Sequence, residues 1–90
     1  METGHRPIPN RLRLHRKRVG YTQLYVAELM GLYDSVSISL WERGAMLPNT
    51  INLIKLSAIF RTFPNELYPE LFKEEKEKLT ALEHQLASQQ

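Results

Sequence analysis

YTQLYVAELMGLYDSVSISLWERG, residues 21–44, is the most informative stretch of the sequence. Its first half predicts a helix over 23–30, because Thr22 is a favourable N-cap and Gly31 can adopt the left-handed conformation that ends a helix. After a short connection, a second helix is predicted to end at Gly44. Two short helices joined by a tight turn that contains glycine form the pattern of a helix-turn-helix.

The second helix is predicted to have two different faces. Asp34 or Ser35 can cap its start, and Ile38 and Trp41, three positions apart, can point into the core. Trp41 is therefore expected to be a core residue. The remaining surface is made of small and apolar side chains: Ser35, Val36, Ser37, Ser39 and Leu40. Such side chains allow the helix backbone to approach base edges in the major groove. An amphipathic surface helix with a serine-rich outer face is the alternative.

The residues before this stretch predict an arm and a first helix. Residues 1–9 contain two prolines and a glycine and are predicted to form a flexible basic arm. Asn10 is a candidate N-cap for a helix that runs to about Arg18 and stops at Gly20.

The residues after the stretch predict three more helices. Asn49 or Thr50 can cap a fourth helix, Pro64 can start a short fifth helix, and Pro69 can occupy the first turn of a last helix. No strand pattern with turn chemistry competes with these segments, so the fold class is predicted to be all-α.

Charge is distributed unevenly along the 90 residues, although the formal net charge is only +2. Basic residues are concentrated near the start, at Arg6, Arg11, Arg13, Arg16, Lys17 and Arg18. Acidic residues are concentrated after Pro69. This asymmetry indicates that one side of the molecule meets a polyanion; solvated charged helices are the alternative.

Several classes of protein do not fit the sequence. There is no cysteine, which excludes disulfides and thiolate metal sites. No Gly-rich phosphate loop, paired-carboxylate site or nucleophile–histidine arrangement is visible, and no second histidine lies at metal spacing from His15. We therefore expect no enzyme activity, no cofactor and no metal, with His15 facing the core or its rim. Without an apolar span or a secretory signal, a cytoplasmic protein with no membrane partner is expected.

The pattern as a whole resembles the Cro/C1-type (Xre-like) helix-turn-helix family, which includes phage repressors, plasmid regulators and antitoxins. The resemblance rests on the Thr-Gln pair at 22–23, the Val-Ala pair at 26–27, the Trp-Glu-Arg-Gly run at 41–44 and the following Pro48. It implies a five-helix DNA-binding domain over residues 10–68. Residues 69–90 would form an additional C-terminal helix and a possible dimerisation element.

The resemblance also implies roles for individual residues. Gln23 would contact a phosphate and brace a side chain of the recognition helix, and Arg43 would grip the DNA backbone together with the amides of its loop. Arg16 and Glu42 would form a partly buried structural ion pair. The residues predicted to contact DNA are Arg13, Lys17, Thr22, Gln23, Ser35, Val36, Ser37, Ser39, Leu40 and Arg43.

The outer face of the recognition helix departs from the family, whose members usually carry Arg, Lys, Gln or Asn there. The connection before Ile38 is also one residue longer than usual. Base readout is therefore expected to come from serine hydroxyls and from Val36 or Leu40 against thymine methyl groups. Arg6 can enter a minor groove, or it can belong to a disordered tail.

The predicted function is a repressor-like transcriptional regulator that binds double-stranded DNA as a homodimer. The alternative is a protein-interaction module or antitoxin-like protein, in which Val36 and Leu40 dock a partner such as a toxin or polymerase subunit. The last helix places Phe72, Leu79, Leu82 and Leu86 near one stripe, which can pack on its own domain or against a second copy.

Overall fold

A computed structural model describes residues 6–89, which form helices and no strand. The six helices are α1 Leu12–Val19, α2 Gln23–Leu29, α3 Val36–Glu42, α4 Thr50–Phe60, α5 Pro64–Leu67 and α6 Pro69–Ala87. The predicted all-α class, a five-helix domain followed by an additional helix, is confirmed.

Local sequence signals set most helix starts as predicted. The Thr22 hydroxyl accepts the Tyr25 amide at 3.0 Å and caps α2. The Asn49 side chain accepts the Asn52 amide at 2.8 Å and caps α4. Prolines occupy the first turns of α5 and α6, where a missing N–H leaves no helix bond unmade.

Asn10 is not the N-cap of α1, as the sequence had suggested; that position belongs to Arg11. The side-chain oxygen Oδ1 of Asn10 still accepts the Leu12 amide at 3.1 Å. Its amide nitrogen reaches the carbonyl oxygens of Trp41 at 3.2 Å and Glu42 at 3.3 Å. Because helices leave their last carbonyls without intrahelical partners, Asn10 ties the start of α1 to the end of α3.

The core lies among α1 to α5, and Tyr68, the residue before α6, is the last buried residue in it. Its buried side chains are Leu12, Val26, Ala27, Met30, Ile38, Trp41, Leu56, Phe60, Leu67 and Tyr68. Full burial of a leucine-sized side chain contributes roughly 1.5–3 kcal/mol before entropy is counted. The helix-turn-helix pair is therefore held by the same core as the helices around it.

α6 extends away from this core. Leu71 packs partly against the core, but no residue of α6 is buried. Phe72, Leu79, Leu82 and Leu86 are each about half exposed. The predicted stripe thus exists on one helix and is left uncovered by its own chain over the described residues. Within 6–89, no helix combines the length and apolar character that crossing a bilayer requires.

Candidate nucleic-acid interface

α3 has the two faces that the sequence predicted. Ile38 and Trp41 are 2% and 4% exposed and pack in the core, whereas Val36 is 57% exposed. The other outer-face residues are half-buried: Ser35, Ser37, Ser39 and Leu40. The helix itself begins at Val36, so Ser35 occupies the cap position and not the first turn. The surface that α3 offers is short, shallow and free of long side chains.

Asp34 lies beside this surface, and its carboxylate caps the helix. Its Oδ1 accepts the Val36 amide at 3.0 Å, whereas Ser35, at the N-cap position, makes no side-chain cap bond. The negative charge is thus drawn toward the helix N-terminus, where the dipole of α3 favours it.

A buried ion pair fixes the other end of α3. The Arg16 Nε donates to Glu42 Oε2 at 2.5 Å, and Nη2 donates to Oε1 at 3.1 Å. A third donor, Nη1, reaches the Tyr21 carbonyl at 2.8 Å. The two side chains are only 8% and 5% exposed. This bidentate geometry is the strong form of an arginine–carboxylate contact, and it joins α1 to α3.

Gln23 completes the same cluster. Its Nε2 donates to Glu42 Oε1 at 3.0 Å, so its partner on the recognition helix is the last residue of α3 and not one on the outer face. The first turn of α2 is thereby held beside the end of α3. Thr22, at the start of that turn, is exposed.

The loop after α3 is held against the start of the chain. The Ile8 amide donates to the Gly44 carbonyl at 2.9 Å. Gly44 has φ +73°, and a Cβ placed there would lie 2.4 Å from the Ile8 carbonyl oxygen and 2.6 Å from its nitrogen. Only glycine fits both this backbone conformation and this approach. Of the predicted arm, residues 1–5 lie outside the described residues; residues 6–9 run along this loop.

The same contact brings two basic side chains to one place. Arg6 and Arg43 both line a shallow groove formed with Pro7, Ile8 and the backbone at Gly44, and both are exposed. The amides of Arg43, Gly44 and Ala45 donate to carbonyls of α3. Those three amides are therefore already used within the domain, and the Arg43 guanidinium is the exposed basic group of this loop.

The basic residues of α1 and of the position before it differ in whether they have an acidic partner. Arg16 belongs to the buried pair, and Arg11 lies 3.8 Å from Glu70 on the side of α6. Arg13 and Lys17, one helical turn apart, are exposed and make no ion pair with any residue of 6–89. His15 is half-buried at the rim, in a groove with Arg11 and Glu66.

Two long-range contacts and one exposed aromatic residue near the site were not predicted from the sequence. Asn10 bonds to the end of α3 and Ile8 to the loop after it, across more than thirty residues of sequence, and no local pattern marks such contacts. Tyr33 is 101% exposed in the turn between α2 and α3; a large aromatic side chain among turn residues was the available signal. No cluster of metal-ligating side chains occurs in the described part of the chain.

Two short helices with a shared core, one of them presenting a free outer face beside basic side chains, define the class of helix-turn-helix domains. A model of the helix-turn-helix family matches residues 12–67. The chain belongs to this family, in its Cro/C1-type branch.

One curated relative is the HTH-type transcriptional regulator DicA of Escherichia coli (strain K12). It is 38% identical over 64 residues, which cover 71% of this chain and 47% of the relative. The chain therefore spans about half the length of this relative. No solved structure matches the chain significantly.

Proposed function

We propose that this protein is a sequence-specific DNA-binding transcriptional regulator of the repressor type, acting in the cytoplasm. The observation that most supports this proposal is that α3 has a buried face and an outer face. Ile38 and Trp41 are buried, whereas Val36, Ser39 and Leu40 lie on the outer face, which no other helix of residues 6–89 buries. A helix held rigidly on one side and open on the other is what insertion into a major groove requires. The family supports the same proposal, and so does the relative, which is named as a transcriptional regulator.

Affinity and specificity are proposed to come from different residues. Arg13, Lys17 and Arg43 would bind phosphates, with Thr22 and Gln23 contacting the backbone at the start of α2. These contacts position the domain without sequence information. Serine hydroxyls at 35, 37 and 39 would hydrogen-bond base edges, and Val36 and Leu40 would pack on thymine methyl groups. Repression would follow from occupying DNA that the transcription machinery needs.

The central experiment is selection of bound duplexes from a random pool, followed by titration of the selected sequence at several salt concentrations. We expect one enriched motif and an affinity that falls steeply with salt. A palindromic motif would support two copies per site. Equal binding of all sequences at every salt concentration would refute the proposal.

Variants separate phosphate contacts from base contacts. Arg13→Ala or Lys17→Ala should weaken binding to all duplexes and lower the salt slope by about one. Val36→Ala should instead change which base is preferred at one position. Lys73→Ala, an equally exposed change on α6, is the matched control and should leave both quantities unaltered.

A second candidate function is supported by the apolar character of the outer face. Val36 is 57% exposed, which suits docking of an apolar partner surface, as in an antitoxin-like protein. Val36→Arg combined with Leu40→Arg tests the two candidates. If the face reads bases, the double variant should lose its preference for the selected motif while its general DNA affinity, now aided by two added positive charges, is strengthened. If the face docks a protein, the double variant should abolish that contact and leave the DNA motif unchanged.

A further inference from the structure

α6 carries an apolar stripe with the spacing of a short two-helix pair. Phe72, Leu79, Leu82 and Leu86 are 53%, 61%, 47% and 53% exposed. Their separations of seven, three and four residues match the a and d positions of a heptad repeat. Glu75 occupies the one remaining position of that repeat. Half-exposed apolar side chains in such an order favour a helical partner over solvent.

The stripe continues into an apolar cleft between α6 and the rest of the domain. This cleft is lined by Leu47, Pro48, Leu53, Pro64 and Leu71, and it shares Phe72 and Glu75 with the groove along α6. Tyr68 also lines it, and its side chain is 5% exposed. Among residues 6–89, the buried Tyr68 hydroxyl meets no hydrogen-bond partner. An apolar segment of a partner would cover this cleft.

We propose that α6 pairs with α6 of a second copy of this chain in an antiparallel arrangement, with Leu79 of one copy beside Leu82 of the other. In this register each stripe covers the other, and the last turn of each α6 lies at the mouth of the other copy's cleft.

The position of Glu75 selects the antiparallel direction. In a parallel pair the two Glu75 carboxylates would face each other inside the apolar stripe, which like charges disfavour. In the antiparallel register Glu75 faces Leu86 of the second copy and can reach solvent at the edge. A parallel pair would therefore bring two like charges together inside the interface, and an antiparallel pair would not.

Two further charges select the register. Antiparallel pairing with Leu79 beside Leu82 brings Lys76 of each copy next to Glu83 of the other, twice by symmetry. A shift by one heptad would instead bring the two Lys76 side chains together. Neither Lys76 nor Glu83 has an opposite charge three or four residues away in its own helix, whereas Lys78 pairs locally with Glu74 and Glu75.

This inference deepens the proposed function, because a two-fold pair of domains matches a palindromic DNA site. Its test needs no DNA, so the two proposals fail separately. A monomer that selects one DNA sequence would overturn the pairing alone, and a dimer without sequence preference would overturn the proposed function alone.

The experiment is sedimentation equilibrium of the full chain over a wide concentration range. We expect a monomer–dimer equilibrium. Leu79→Glu combined with Leu82→Glu should leave only monomer, with the thermal transition of the domain retained because neither side chain is in its core. A wild-type chain that stays monomeric at every concentration, or a dimer that tolerates these two charges, would overturn the proposal.

Charge reversal tests the register. Lys76→Glu alone and Glu83→Lys alone should each weaken the dimer about 5-fold or more, because two attractive pairs become repulsive. The double variant K76E/E83K should return to within about 2-fold of wild type, since the pairs are restored with reversed sign. K73E/E77K, on the opposite side of α6, is the matched control and should have no effect. Absence of rescue in the K76E/E83K chain would overturn the antiparallel register.

Discussion

The helix-turn-helix body, residues 6–68, and α6 differ in where their side chains find partners. Among residues 6–89, every buried apolar residue lies in the body, and α6 has none. The polar contacts differ in the same way. Arg16 and Glu42 are 26 residues apart in sequence and join α1 to α3. Lys78 in α6 instead pairs with residues three and four positions away, on an exposed surface.

This difference indicates two sources of stability. The body is held by a core and by buried polar contacts between distant segments, so changes in it act on the whole domain. Beyond Leu71, α6 is supported by local contacts worth about 0.2–0.5 kcal/mol each, and this part of the helix lacks the tertiary packing that supplies most helix stability in proteins. We therefore expect the apolar stripe of α6 to serve association and the body to keep its fold without α6.

Glu42→Ala should have the largest effect on the body. It removes the carboxylate that neutralises buried Arg16 and accepts the Gln23 amide, and loss of one partner of a buried pair costs roughly 3–5 kcal/mol. Chemical denaturation measures this loss. Glu74→Ala, which removes an exposed carboxylate 3.8 Å from Lys78 in α6, is the control and should cost less than about 0.5 kcal/mol. Equal effects at the two positions would contradict the contrast between body and helix.

Gly44→Ala should have the next largest effect, and Gly31→Ala is its matched control. Both glycines have φ +73°, but a Cβ at Gly31 meets nothing within 4 Å, whereas one at Gly44 overlaps the Ile8 backbone. The shared conformational strain is about 1–2 kcal/mol, and displacement of residues 6–9 should add about 1 kcal/mol more at Gly44 through the lost Ile8 hydrogen bond. Denaturation gives the difference, and faster hydrogen exchange at the Ile8 amide locates it. Identical losses in the two variants would show that the Ile8 contact contributes nothing.

The sequence predicted those parts of the fold that depend on neighbouring residues. Caps at Thr22 and Asn49 and the proline at the start of α5 act within one turn of helix, so their spacing was sufficient. Ile38 and Trp41 followed from helical periodicity. The Arg16–Glu42 pair was expected only from the family resemblance, because nothing in either segment specifies a partner 26 residues away.

The contacts that escaped prediction are those between distant backbones. Asn10 looked like a helix cap because asparagine often is one, but its side chain serves the carbonyls at the end of α3. Gly44 looked like a helix end, and it is one; its second requirement, close approach by Ile8, depends on tertiary structure alone. The residues proposed to contact DNA remain predictions.

Tyr68 lies where the body meets α6. Replacing it with phenylalanine should change how the free energy of unfolding depends on pH, and this effect is smaller than the two above. Burial raises the pKa of Tyr68 from 10.0 to about 12. The folded state therefore holds this proton more tightly than the unfolded state, so the associated stability is fully present below pH 10 and is lost as pH rises through about 12. Relative to Tyr68→Phe, the wild-type chain should lose on the order of 2 kcal/mol across that range. Parallel pH profiles of the two chains, measured by denaturation, would contradict the burial of this hydroxyl.

Deletion of α6 from Lys73 onward should have the smallest effect on the body. Among residues 72–89, no hydrophobic side chain packs against the core, and surface changes of this kind usually stay within about 0.5 kcal/mol. The free energy of unfolding should therefore be retained, when measured at concentrations where both chains are monomeric, while self-association disappears. A deletion from Tyr68 onward is the control, since it also removes a buried core residue and should be destabilising by several times that amount. A large loss from the shorter deletion would mean that the exposed part of α6 supports the body, and that the contrast between the two regions does not hold.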